Sequence, residues 1–246
     1  LKKDGERMIT PQQLAENIRG VKQRIKEALK EAHRSDDVKI IAVTKTRSPQ
    51  EINLLTDYGI FSIGENRVQE LMDKIDSLDK RFDIQVIGQL QRNKVKYIID
   101  RVNCVQSLDR EELACELNRR AAASGKRLDV LIEVRLNDDP ARGGVAPEEL
   151  GTFCLNMKRF ESLNICGIMA VAPPGLSKEE RVAAFEKAAC LMPAAKEVFP
   201  EADRLSMGMS ADYYEAILAG ATEIRLGSAL FGPRENRPNG LNRSII

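Results

Sequence analysis

A (β/α)8 TIM barrel with an extra N-terminal helix is the fold class this sequence predicts. Three observations carry it: the length, a strict alternation of short apolar runs with helical stretches, and eight such runs after one leading helix. At 246 residues the chain matches the roughly 250 residues of such a barrel with its ring of helices. An apolar content of 43% can fill a core of that size. Residues 1–246 are read as one domain, with a barrel core over 11–232 and a loose tail over 233–246, rich in Pro, Gly, Asn and Arg.

The leading helix is announced by Thr10-Pro11-Gln12-Gln13: an N-cap Thr, Pro at the first helical position and Gln at the third, which together form a capping box. Leu14, Ile18, Val21, Ile25 and Leu29 then recur at spacings of three and four, a single apolar stripe. The β-branched run 38–43 reads as the first strand, Ser48-Pro49-Gln50-Glu51 caps a second helix, and 60–63 reads as the second strand. Further strands are expected at 84–87, 104–107, 130–134, 165–171, 205–207 and 223–226, with helical patterns between them, as at 111–123 and 179–191. Strict alternation implies parallel strands, because each crossover helix returns the chain to the same end. Eight units close most economically into a barrel. Alternation alone does not show closure, and an open doubly wound sheet is the alternative.

Composition narrows the function classes. With 38 basic and 37 acidic residues the formal net charge is +1, which lacks the basic excess of a nucleic-acid binder, and 4% aromatics with no Trp offer little for base stacking. The five cysteines (Cys104, Cys115, Cys154, Cys166 and Cys190) are widely spaced and never form a CxxC pair. That argues against a disulfide framework and against a zinc site, and suits a reducing cytoplasm. The single histidine, His33, reads as an ordinary surface residue, so a histidine-based metal centre or triad is poorly supplied. No run approaches the roughly 20 apolar residues of a membrane span, and the charged stretch 1–10 is no secretory signal. A charged fraction of 30% leans toward a monomer.

A TIM barrel places its chemistry at the C-terminal ends of the strands. Lys45 follows the first strand directly in Val43-Thr44-Lys45-Thr46. Apolar walls at a barrel mouth disfavour the ammonium form, and an uncharged amine can attack a carbonyl to form an imine. The plainer reading is a solvated loop lysine. After the seventh strand comes Ser206-Met207-Gly208-Met209-Ser210-Ala211-Asp212, with Ser210 placed to cap the helix that follows. After the eighth comes Arg225-Leu226-Gly227-Ser228, where Gly227 would let the backbone approach a ligand. These two loops are where the fold usually holds a phosphate, so an amine and an anion cradle are expected at one mouth. Simple capping by Ser210 and a tight turn at Gly227-Ser228 are the alternatives.

Five segments in order, each at a strand end, carry a resemblance. They are Ala42-Val43-Thr44-Lys45, Gly64-Glu65-Asn66-Arg67-Val68-Gln69-Glu70, Gln91-Arg92-Asn93-Lys94, 205–210, and Arg225-Leu226-Gly227 with Phe231-Gly232. The chain resembles the YggS/PROSC-type pyridoxal phosphate homeostasis proteins, related to the N-terminal barrel of alanine racemase, from about Val38 to Arg234. The resemblance implies that pyridoxal 5′-phosphate (PLP) is held as a Schiff base on Lys45, with Asn66 beside the cofactor and Arg225 facing the pyridine nitrogen. Ser210, Gly227 and Ser228 would hold the phosphate. Two departures stand out. Gly88-Gln89-Leu90-Gln91 has Gln89 where the family usually has His, and Arg142 stands in the loop where the family often carries Lys. Arg keeps the charge but stays protonated, which makes it a poor acceptor for a transferred cofactor.

The resemblance also bears on catalysis. An acidic partner on the pyridine nitrogen deepens the electron sink of PLP enzymes, and an Arg can only donate. That weakens the sink without excluding racemisation, since alanine racemases also use Arg there. Racemisation also needs a base on each face of the imine, which the racemases draw from an added β-domain, whereas this chain ends about where the barrel ends. Tyr213 and Tyr214, at the start of a helix near the mouth, are the only substitutes in view and read as packing residues. The expectation is therefore a PLP carrier and buffer without evident catalysis, handing the cofactor to apo-enzymes. A minimal PLP-dependent racemase and a PLP-free Schiff-base aldolase acting on a sugar phosphate are the alternatives. Exchange of the α-proton of alanine would favour the first, and ligand identity alone separates the second.

Overall fold

The computed structural model describes residues 8–137 and 143–233. Eight parallel strands run around a closed barrel in sequence order: β1 (Lys39–Val43), β2 (Ser62–Glu65), β3 (Asp83–Val86), β4 (Cys104–Leu108), β5 (Leu128–Val134), β6 (Leu163–Ala170), β7 (Arg204–Met209) and β8 (Glu223–Leu226). The ring closes where β8 pairs with β1 through Lys39↔Glu223, Ile40↔Ile224, Ile41↔Arg225 and Ala42↔Leu226. That pairing rules out the open doubly wound alternative. Helices fill the crossovers: α1 (Pro11–Glu31) ahead of the barrel, then α2 (Pro49–Asn53), α3 (Val68–Met72), α4 (Val95–Ile98), α5 (Glu111–Ala123), α6 (Leu150–Met157), α7 (Lys178–Ala189), α8 (Met192–Val198), α9 (Tyr213–Leu218) and α10 (Ser228–Phe231).

The capping boxes read at Thr10 and Ser48 both form, with Gln13 and Glu51 reaching back to the cap backbone. Leu14, Ile18, Val21 and Ile25 of α1 are buried, and α1 packs on α9 and α10. Asn17 Nδ2 ties it to Leu230 O at 2.8 Å, and Arg34 donates to Ile217 O at 2.8 Å and Ala221 O at 3.0 Å. The second strand lies two residues later than expected, over Ser62–Glu65. The stretch read as helical at 179–191 is α7, followed by a separate α8 with Pro in its first turn. Among the described residues no helix is long and apolar enough to cross a membrane. The tail over 234–246 lies outside the described residues.

The larger apolar cluster joins the helices to the outward sides of the strands, through residues such as Ile18, Ile63, Val105, Ile132, Phe185 and Ile224. Inside the barrel the layers are mixed. Cys104, Leu131, Cys166 and Met169 form a small apolar cluster of their own. Beside it runs a polar network in which Arg204 Nε donates to Glu223 Oε1 at 2.7 Å, Gln106 Nε2 donates to Gln85 Oε1 at 2.7 Å and to Glu223 Oε2 at 3.1 Å, and Ser206 Oγ donates to Gln106 Oε1 at 2.7 Å. Buried polar groups cost stability unless they are hydrogen-bonded, and here each finds a partner on a neighbouring or facing strand.

Candidate functional site

Barrel closure decides where the site residues meet. Lys45 lies in the turn after β1, Asn66 directly after β2, Ser210 directly after β7, Arg225 within β8, and Gly227 and Ser228 directly after β8. Because β8 pairs with β1 and β1 with β2, all six lie on one arc of four adjacent strand ends. The β1–β2 register ends at Val43↔Gly64, two residues before Lys45 on one side and two before Asn66 on the other. On the other side a Cβ added at Gly227 would stand 3.6 Å from Val43 Cβ, so the β8 loop borders the end of β1 in ordinary contact. Period two along β1 puts Ile41 and Val43 on the inward side, and Lys45, in the turn just beyond, is half-buried. Thr46, next to it, holds φ +66°. For a β-branched residue this left-handed backbone costs about 1–2 kcal/mol, so the turn after Lys45 is held rather than relaxed.

The two loops expected to cradle an anion do meet. Ser210 Oγ accepts from Gly227 N and Ala229 N, both at 3.1 Å, which joins the β7 loop to the β8 loop. This corrects the sequence reading of Ser210. It caps the short α10 after the adjacent strand β8 rather than its own following helix, with a register shift between Ser206 and Met209 where β7 meets β8. The N-cap of α9 is Asp212, whose Oδ1 accepts from Met209 N at 2.6 Å and makes no capping bond to the helix. Gly208, at φ +88°, allows that shift, since a Cβ there would fall 2.6 Å from Ala216 Cβ and 2.9 Å from Tyr213 Cα.

Arg225 is buried in the barrel, with Nη1 donating to Ser206 Oγ at 2.8 Å and Nη2 to Ala170 O at 2.9 Å. It forms the top of the interior polar network. Burial lowers its pKa to about 10, against the opposing charges of Glu133, Asp212 and Glu223. Glu133, near the end of β5, is pushed up to about 7 by burial, with the Asp109 charge adding to the effect and Arg225 opposing it. Sequence reasoning missed Glu133. The alternation Asp129, Leu131, Glu133 was its signal, since it puts acids on the side of the strand opposite Leu128, Val130, Ile132 and Val134.

Asn66 carries an unmet demand: its Oδ1 is buried and accepts no hydrogen bond. Its backbone is pinned by Gly88, where a Cβ would fall 2.4 Å from Asn66 O and 2.8 Å from Asn66 Cα. Gln89 is exposed, and a Cβ on Gly143 would meet its Nε2 and Asp109 Oδ2, so the chain after β5 returns over this side of the mouth. Arg142 lies outside the described residues. Tyr213 is buried and Tyr214 Oη donates to Glu31 Oε2 at 2.7 Å, with Arg24 of α1 5.2 Å from the Tyr214 ring. Both tyrosines therefore face α1 on the outer flank, as packing residues would. His33 is exposed, just beyond the end of α1.

Comparison with known proteins shows the family of the chain. The family described as alanine racemase, N-terminal domain, matches residues 9–235. A pyridoxal phosphate homeostasis protein of Haemophilus influenzae is 34% identical over 224 residues, covering 89% of this chain and 94% of its own. One of Aquifex aeolicus is 37% identical over 224 residues, covering 89% and 98%. PipY of Synechococcus elongatus, in a structure with PLP bound, superposes with a TM-score of 0.74 at 31% identity, covering 85% of this chain and 100% of that one. The alanine racemase of Bartonella henselae, at 15% identity and a TM-score of 0.68, shares the fold over 92% of this chain and 61% of its own. With its whole barrel matched, this chain belongs to the alanine racemase N-terminal-domain family.

Proposed function

We propose that this protein binds PLP through Lys45 and serves in PLP homeostasis, holding the cofactor and releasing it to apo-enzymes. One observation carries the reading: the β8–β1 pairing brings the amine-bearing turn beside the loop that contains Gly227 and Ser228. The residues present fit the group. Ser210 and Ser228 offer hydroxyls for a phosphate, and Gly227, whose N–H is given to Ser210 Oγ, adds no side chain to block it. The orphaned Asn66 Oδ1 would accept from a ring hydroxyl. When bound, PLP supplies an aldehyde that condenses reversibly with an uncharged lysine amine and releases water.

The chain's own residues favour storage over turnover. Arg225 can only donate hydrogen bonds, and two of its five donor hydrogens are already spent on Ser206 and Ala170. Placed against a ring nitrogen it would favour the unprotonated ring and so weaken the electron sink. The tyrosines considered as a second base are turned toward α1. The names of the Haemophilus and Aquifex relatives and the PLP-bound PipY structure support the same reading. We further propose that the protein acts as a monomer in a reducing cytoplasm, in keeping with its high charged fraction and its dispersed cysteines.

The test is a handover. Protein loaded with PLP and freed of excess ligand should be yellow and should reactivate an apo-form PLP enzyme. Lys45→Ala protein should neither hold the colour nor deliver cofactor. A Lys45→Ala variant with an undiminished chromophore would overturn the assignment.

A further inference from the structure

The segment Gly64 to Glu70 is only partly used by the function proposed above, which draws on Asn66 alone. The rest of it, with Lys74 beyond α3, lies behind the Lys45 turn. Lys74 and Glu65 are both buried, 7% and 1% exposed. Lys74 Nζ reaches Glu65 Oε1 at 2.7 Å, Thr44 O at 2.8 Å and Glu70 Oε1 at 3.2 Å. An ammonium has three protons, and here each has one acceptor. Glu65 also accepts from Thr44 Oγ1, and Glu70 accepts from the backbone N–H of Thr46.

These contacts fall on the chain in a particular way. Thr44 O belongs to the peptide unit just before Lys45, and Thr46 N–H to the one just after it. Both planes flanking the Lys45 Cα are therefore gripped by one charged cluster, buried at Lys74 and Glu65 and half-buried at Glu70. We propose that Glu70 and Lys74 are positioning residues for Lys45, holding the two peptide units around it so that its amine is presented to the mouth. The proposal rests on the assignment of Lys45 as the PLP-binding amine.

The physical case is one of preorganisation. A lysine side chain has four freely rotating bonds, and a mobile root would multiply the positions its nitrogen samples before meeting an aldehyde. Fixing the root lowers the ordering cost of the covalent link. It does little for a ligand held by its phosphate and ring alone, and the test uses that difference.

Full-length wild type, Glu70→Ala, Glu70→Gln and Lys74→Met are compared by equilibrium dialysis against PLP and against 4′-deoxypyridoxine 5′-phosphate. The analogue keeps the ring and the phosphate but has a methyl in place of the aldehyde. Glu70→Ala and Lys74→Met should weaken PLP binding by about tenfold and lower the visible absorbance of the lysine-linked form, while analogue binding changes by less than about twofold. Glu70→Gln keeps an acceptor for Thr46 N–H and should restore most of the PLP affinity. If Lys74→Met does not fold because its carboxylates are left uncompensated, Glu70→Ala decides by the same criterion. Unchanged PLP affinity in Glu70→Ala, or equal weakening of both ligands, overturns the positioning role. Wild type that binds PLP no more tightly than the analogue would instead sink the assignment of Lys45, and the positioning role with it.

Discussion

The lower interior of the barrel and its mouth satisfy their polar groups differently. In the lower interior Arg204, Glu223, Gln85, Gln106 and Ser206 exchange hydrogen bonds across four strands. At the mouth, just after β2 and near the end of β5, Asn66 Oδ1 is buried without a donor and burial raises the Glu133 carboxyl to about 7. A network that closes on itself serves the fold, whereas demands left open at a concave strand end are ready for something that is not protein. Substitutions in the two regions should therefore separate stability from PLP binding.

The largest effect is expected below. Arg204→Met leaves Glu223, nearly fully buried, without its cation, and removing one partner of a buried pair costs about 3–5 kcal/mol. Chemical denaturation should show that loss at neutral pH, and a loss under about 1 kcal/mol would mean that the network is not closed in the way described. Next comes Gly88→Ala. Its new methyl would overlap the Asn66 backbone, so a cost of about 1–3 kcal/mol should accompany weaker PLP binding. A stable variant with normal binding would free Asn66 from this constraint.

Glu133 gives a smaller, pH-dependent effect. Its pKa is raised on folding, so the unfolded chain gives up this proton at lower pH than the native state does. The native state is thus favoured most below the ordinary carboxylate range, and that advantage is lost as pH rises toward about 7. Glu133→Gln should remove the dependence and leave the variant more stable than wild type at pH 8 by about 1 kcal/mol, a figure reduced for partial exposure. Parallel stability–pH curves would contradict the buried placement. The smallest stability change belongs to Asn66→Ala, within about 0.5 kcal/mol because no bond is lost at Oδ1, yet PLP affinity should fall severalfold. This pair of outcomes sets the mouth apart from the network below.

Much of this was legible before any coordinates. Strands of Val, Ile and Leu separated by capped helices give the alternation, and five of the six proposed ligand-holding residues, Lys45, Asn66, Ser210, Gly227 and Ser228, follow a strand end directly. What was not legible depends on pairing between distant segments. The second strand was read too early because Gly64 and Glu65 are poor strand formers, and their place is set by pairing with Gln85 and Val86. Ser210 was assigned to the wrong helix because its partners, Gly227 and Ala229, come from the next βα unit. The grip of Lys74 on Thr44 spans 30 residues and could not be read from either segment alone.

The central claim is that closure of β8 on β1 lets a single molecule span Lys45 and the Ser210–Gly227–Ser228 loops. A crystal structure of protein incubated with PLP and reduced with borohydride tests it most directly. The account predicts continuous density from Lys45 Nζ to the cofactor, with the phosphate bonded to Ser210, Gly227 or Ser228. Cofactor attached to another lysine, or a phosphate lodged away from those loops, would contradict it.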